Sequence, residues 1–400
     1  MSLFVFLSLL FAVRVSAYSV LTHQAIIDTA WNRSIKPLIL DRYPKLSADG
    51  LREAHAYAYG GAIIQDMGYY PFGSHLFSDL VHYVRGGDFV EYLLRDASDA
   101  NELAFALGAL AHYSADESGH SIAINHVVPM LYPKLRKKYG DVVTYEDNPT
   151  AHLKTEFAFD VVQVAQQHYA PDAYRDFIGF KVSKPLLERA FLQTYGFELK
   201  DVFMSVDLAI GTFRHTVSGL LPEMTKVAWE TNKDEIVKAS PGATRQAFLF
   251  NLSRASYEKE WGNEYERPGI WSRILAFFLR LLPRFGPFKA LGFHEPTPEA
   301  LKLFMESFNK TLDNYRMRLA TVRKHERLEL PNDNLDTGTA TPFGRYKLAD
   351  EAYAKLLGKL NDHHFEDVDP GLRKMVLSYY RNAKGLDPKI EAQLAEIAKN

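Results

Sequence analysis

The chain has 400 residues, of which 47% are hydrophobic and 24% charged, with a formal net charge of −2. That length can bury a large core, and so balanced a charge gives no global field to draw the protein onto nucleic acid, so any attraction for phosphate must be local. The chain contains no cysteine, which excludes disulfides and zinc–thiolate sites and leaves His, Asp, Glu and backbone as the available metal ligands.

The N-terminus, "MSLFVFLSLLFAVRVSAYSV", carries an apolar run from Leu3 to Val13 followed by Val15-Ser16-Ala17, a small-residue cleavage pattern. It reads as a signal peptide over 1–17, cleaved near Ala17 to leave Tyr18 first and a secreted or periplasmic chain. The competing reading is an uncleaved anchor or a buried first helix. No other segment reads as transmembrane.

From there the pattern is helical nearly throughout, with no run of alternating strands between hairpin turns, which predicts an all-α fold. "SVLTHQAIIDTAW" has apolar residues at helical spacing and carries His23. "GGAIIQDMGYYPFG" buries Asp66 among glycines and apolar residues at a helix end, and "SHLFSDLVHYV" sets His82 among Leu80, Val81 and Val84. "ANELAFALGALAHYSADESGHSIAI" predicts a helix from about Asn101 that carries His112, Asp116 and His120, with Gly119 as a point of bending. "PTAHLKTEFAFDVVQVAQQHY" places His152 and Glu156 at i, i+4, and "SKPLLERAFLQTYGF" is a further amphipathic helix.

A polar, breaker-containing stretch from Asn232 to Gly242 suggests a boundary between a domain over 18–231 and a more charged helical extension over 232–400. Within the extension, "WSRILAFFLRLLPRFGPFKALGF" sets an apolar stripe from Trp271 to Phe285 against Arg273, Arg280 and Arg284, with no acid. Such a helix suits a membrane interface, and equally a position packed on the catalytic domain with its arginines in water. "LELPNDNLDTGTATPFG" reads as a surface loop between late helices.

The imidazoles and carboxylates carry the chemistry. Residues at i and i+4 share a helix face, so His112 with Asp116, and His152 with Glu156, can each point into one site. Either pair alone is equally a satisfied core pair or a solvated surface pair. Several carboxylates in apolar settings are costly to bury unpaired. Cations would compensate them, and zinc suits imidazole with carboxylate.

Taken in order, these residues resemble the superfamily of zinc-dependent phospholipases C and single-strand nucleases, over roughly Tyr18 to Val227. The resemblance implies an all-α, multi-helix core with zinc as cofactor, about three ions in a cleft. It implies that Tyr18 stands where the family has an N-terminal Trp, lending its free amine and carbonyl oxygen, and that His23 joins it on one zinc with Asp116 bridging. Asp66, His82, His112 and Asp116 would hold a second, and His120, His152 and Glu156 the third. The spacing from Asp116 to His120 is shorter than the family pattern, so His126 stays an alternative to His120, and His75 a weaker one to His82.

A multi-zinc site suits phosphodiester cleavage by activated water, with Asp66 as general base or water-holding group besides ligating, or as a ligand alone. The expected function is a secreted zinc-dependent phosphodiesterase, a phospholipase C hydrolysing the glycerol-side phosphodiester of phospholipids, with peripheral membrane contact through 271–285. The alternatives are a zinc-dependent single-strand nuclease, for which nucleic acid is the partner, or a non-catalytic helical metal-binding protein. Tyr69 and Tyr70, near Asp66, could stack bases or bind a choline-like cation.

Overall fold

The structure, a computed structural model, describes residues 20–165, 180–217, 296–366 and 368–399, with 233, 237 and 294. The expectations for 1–17, for Tyr18 and for the apolar stripe at 271–285 lie outside these residues. Within them the regular structure is helical, with one isolated antiparallel bridge between Asn334 and Thr339 and no strand.

The chain runs α1 (Val20–Ala30), α2 (Lys36–Arg42), α3 (Ala48–Ile64), α4 (His75–Tyr83), α5 (Gly86–Asp96) and α6 (Ala100–Ser118). It continues through α7 (Asn125–Leu131), α8 (Pro133–Tyr139), α9 (Pro149–Ala165), α10 (Lys184–Tyr195) and α11 (Val206–His215). The later helices are α12 (Pro298–Arg323), α13 (Lys347–Asp362), α14 (Pro370–Tyr380) and α15 (Pro388–Ile397). No described helix is long and apolar enough to cross a membrane.

Local chemistry sets where these helices begin. Ser47 accepts from Gly50 N ahead of α3, Ser74 from Phe77 N ahead of α4, and Asp99 from Asn101 N and Glu102 N ahead of α6. In each case a side-chain oxygen satisfies amides that the first turn leaves without partners. Thr297, Asp369 and Asp387 do the same for α12, α14 and α15, each followed directly by proline, whose missing N–H costs nothing at that position.

Helix α6 lies at the centre. Its residues are buried on every side except at Asn101 and Glu117, as expected of a helix apolar all round. It packs most extensively on α3, and glycines let the two backbones meet. A Cβ on Gly108 would run into the carbonyl oxygen of Ala58 and stand 2.8 Å from Ala62 N; a Cβ on Gly61 would strike the carbonyl oxygen of Phe105. The pair matters because α3 leads directly into the turn that carries Asp66, while α6 carries His112 and Asp116.

The C-terminal helices join this core. α12 packs on α6, with Tyr315 donating to Leu107 O at 2.9 Å. Arg318 reaches Ser114 Oγ at 2.9 Å and Glu117 at 2.8 Å. α13 packs on α4. Arg85, in the left-handed region at φ 56°, donates to Thr194 O and forms an ion pair with Asp369 at 2.8 Å. One apolar cluster holds residues from both sides of the boundary expected near 232–242, from Val20 to Ile397.

The stretch expected to be a surface loop, 328–344, is a loop, but it is not confined to the surface. Asn334, Leu335 and Asp336 are buried. The reason is that Leu335 N donates to His82 O at 3.0 Å and Asn125 Nδ2 donates to Asp336 O at 2.7 Å, so the loop is threaded into the interior.

Candidate metal centre

Four elements bring five imidazoles and carboxylates together. α1 contributes His23 and α4 contributes His82. Asp66 is the second residue of a 3₁₀ turn, Gln65–Tyr69, into which α3 runs. His112 and Asp116 lie one turn apart on α6. All five side chains are buried, four of them completely.

The hydrogen bonds at the rim aim the rings. His112 Nδ1 lies 2.9 Å from Ala62 O, and His82 Nδ1 lies 2.7 Å from Ser78 O. A carbonyl only accepts, so each Nδ1 carries the proton and each Nε2 turns a lone pair inward. Those two Nε2 atoms are 3.2 Å apart. Asp116 Oδ2 is 3.1 Å from His112 Nε2 and 3.2 Å from His82 Nε2, and Asp66 Oδ1 is 3.5 Å from His82 Nε2. Asp116 turns its other oxygen, Oδ1, to His23 Nε2 at 3.6 Å, and the His23 ring stacks on His112 with centroids 4.3 Å apart. Two inward lone pairs at 3.2 Å, faced by two carboxylates, repel one another unless a cation lies among them. The donor set therefore fits a metal.

A second gathering lies beside it. Beyond Ser118 the helix widens into a π turn, Gly119–Ile124, at the glycine where bending was expected. His120, in that turn, faces His152 of α9, with ring centroids 5.8 Å apart. His152 Nε2 lies 2.6 Å from Val143 O, which leaves Nδ1 as the inward atom, 4.0 Å from Glu156 Oε1. Asp336 completes the group, with Oδ1 2.8 Å from His120 Nδ1.

Three sets of buried side chains thus have ligand atoms within 4.8 Å of one another: His23, His112 and Asp116; Asp66, His82 and His112; and His120, His152 and Asp336. His75 is exposed at the start of α4, and His126 lies on α7 outside all three sets. Tyr69 is buried beside His82, with ring centroids 6.0 Å apart, whereas Tyr70 packs into the core against Phe213. Asp336 is the residue that the sequence reading missed. Its neighbours, "NDNLDTG", read as turn-formers, and nothing local marks one acid among them as inward.

The electrostatics show a site that requires positive charge. Burial lowers His112, but Asp116 and Asp66 outweigh it and push the imidazole up to about 9. Burial raises Asp116, but His112, His82 and His23 hold it well below the usual carboxylate range. Glu156 is driven well above that range by burial first, then by the nearby Asp116, Asp66 and Asp336. Burial lowers His152 to about 4. Among protein groups alone, protons would have to supply what a divalent ion supplies better.

Such a centre makes stability depend on metal. An ion present at a thousand times its dissociation constant stabilises the fold by about 4 kcal/mol. Exhaustive chelation is therefore expected to lower Tm by ~10 °C, since each kcal/mol moves a large domain by a few degrees. Calorimetry with and without chelator measures this, and an unchanged Tm would show that protein contacts alone hold the cluster.

Residues 22–204 match the family described as zinc dependent phospholipase C. No curated protein and no solved structure matches the chain. The matched segment contains His23, Asp66, His82, His112, Asp116, His120, His152 and Glu156, and excludes Asp336. By this match, and by its all-α architecture, the segment 22–204 is similar to the zinc-dependent phospholipase C family.

Proposed function

We propose that the protein is an exported zinc-dependent phosphodiesterase of phospholipase C type, cleaving the glycerol-side phosphodiester of phospholipids with activated water. The observation that carries this reading is the convergence of His82 Nε2 and His112 Nε2, 3.2 Å apart, between the buried carboxylates of Asp66 and Asp116, inside the segment that matches the family. The residues that would hold zinc are His23, Asp66, His82, His112 and Asp116 in the first gathering and His120, His152 and Glu156 in the second, with Tyr18 lending its amine after cleavage. Zinc in this setting supplies Lewis-acid stabilisation of a phosphodiester and makes a water acidic enough to attack near neutral pH.

The chain's own groups do the rest. Ala62 O and Ser78 O hold His112 and His82 in one tautomer and one orientation. Burial excludes bulk water, so the charges of Asp66 and Asp116 act at low screening. Asp66 Oδ1 lies 4.0 Å from His112 Nε2, which supports its carboxylate as a ligand and as the general base that takes the proton of the attacking water. The apolar N-terminal run supports export, and the arginine-flanked apolar stripe at 271–285 supports a lipid over a nucleic acid.

Chain exported and processed to a Tyr18 start, with measured zinc content, should hydrolyse phosphatidylcholine vesicles to diglyceride and a phosphorylated headgroup and leave single-stranded DNA intact. Cleavage of the DNA with the vesicles untouched would establish the nuclease reading instead. Full zinc content with neither activity would leave a non-catalytic metal-binding protein.

A further inference from the structure

We propose that Asp336 is a ligand of the His120–His152 metal group, so that its ion fastens the C-terminal part of the chain to the family segment. The inference rests on the zinc reading above and extends it to a residue outside 22–204.

The loop that carries Asp336 is built into the site from several directions. Leu335 N donates to His82 O at 3.0 Å, Asn125 Nδ2 donates to Asp336 O at 2.7 Å, and Asn334 Oδ1 accepts from Asp336 N at 2.9 Å. The side chain is 2% exposed.

Its two oxygens have different tasks. Oδ2 accepts from Tyr145 N at 3.0 Å and from the Tyr346 hydroxyl. Oδ1 faces His120 Nδ1 at 2.8 Å. With His152, these residues bring three ligand atoms within 4.8 Å of one another, within reach of one ion.

The other two members are poised in the same way. Val143 O holds His152 Nε2, so Nδ1 turns its lone pair inward, and Nδ1 and Glu156 Oε1 both lack hydrogen-bond partners, 4.0 Å apart. His120, His152 and Asp336 together offer imidazole with carboxylate, a donor set that zinc takes. Because the ligands come from the π turn, from α9 and from the 330s loop, metal binding and docking of that loop are thermodynamically one event.

The test is zinc content and release in the full chain. After dialysis against a weak chelator, Asp336→Asn is expected to hold one zinc equivalent fewer than the parent, or to release that equivalent about tenfold faster or more. Far-UV circular dichroism should be unchanged. Parent-like zinc content and release in Asp336→Asn overturns the inference while the proposed function stands. A parent chain that takes up no zinc after supplementation overturns both. Should the variant fail to fold, hydrogen exchange on the parent decides: amides of Asn334–Thr337 should slow by about tenfold or more on zinc loading. Exchange there that ignores zinc, while the segments around His82 and His112 become protected, overturns the proposal.

Discussion

Asp116→Ala is expected to cost hydrolysis at least about a thousandfold, since metal-centred stabilisation of developing charge is worth several kcal/mol and every 1.4 kcal/mol is about tenfold. The effect should exceed that of any other single substitution in the centre. Asp116 reaches His112 and His82 through Oδ2 at 3.1 and 3.2 Å and His23 through Oδ1 at 3.6 Å, so it joins both parts of the first gathering. Without it, three buried imidazoles face one another with Asp66 as the remaining carboxylate. Zinc per chain and turnover of phosphatidylcholine should fall together, and His23→Ala should show a smaller loss of metal. An Asp116→Ala chain with the parent's zinc content and activity within about tenfold would remove Asp116 from the centre.

Gly108→Ala is expected to destabilise the protein by at least about 3 kcal/mol, beyond the usual range for one added methyl group, because the obstacle is backbone. The added carbon would meet the carbonyl of Ala58 and the amide of Ala62, which rotamer changes cannot move. α3 and α6 must separate, and with them Asp66 from His112 and Asp116. Metal sites tolerate displacements of only about 0.5 Å, so zinc affinity should fall with stability. Gly358→Ala is the control: it lies in α13 with nothing within 4 Å of the added carbon, and helix propensity alone should make it neutral or stabilising by up to about 1 kcal/mol. Chemical denaturation of both variants measures the contrast, and equal stabilities would show that the α3–α6 crossing yields at little cost.

The helical class was legible because apolar residues recur at helical spacing, and the caps at Ser47, Ser74 and Asp99 are short-range features that sequence carries directly. The i, i+4 pairs His112–Asp116 and His152–Glu156 were legible for the same reason, since one helical turn is a local distance. Sequence alone left His120 open against His126, because register beyond Gly119 depends on whether the helix continues as α or widens into a π turn, a difference of one residue per turn. In the structure His120 faces His152 and His126 does not join any of the three sets.

The sequence by itself determined which helices form and which of them carry imidazole and carboxylate on one face. Only the tertiary structure decided which faces meet. The glycine crossing of α3 and α6 sets Asp66 beside His112, and the buried 330s loop brings Asp336 to His120 across a long sequence separation. That last contact has no local signature, because it depends on hydrogen bonds from Leu335 N to His82 O and from Asn125 Nδ2 to Asp336 O, between residues far apart along the chain. An acid among turn-forming residues is exposed by default, and burial becomes favourable only where other parts of the fold supply its partners.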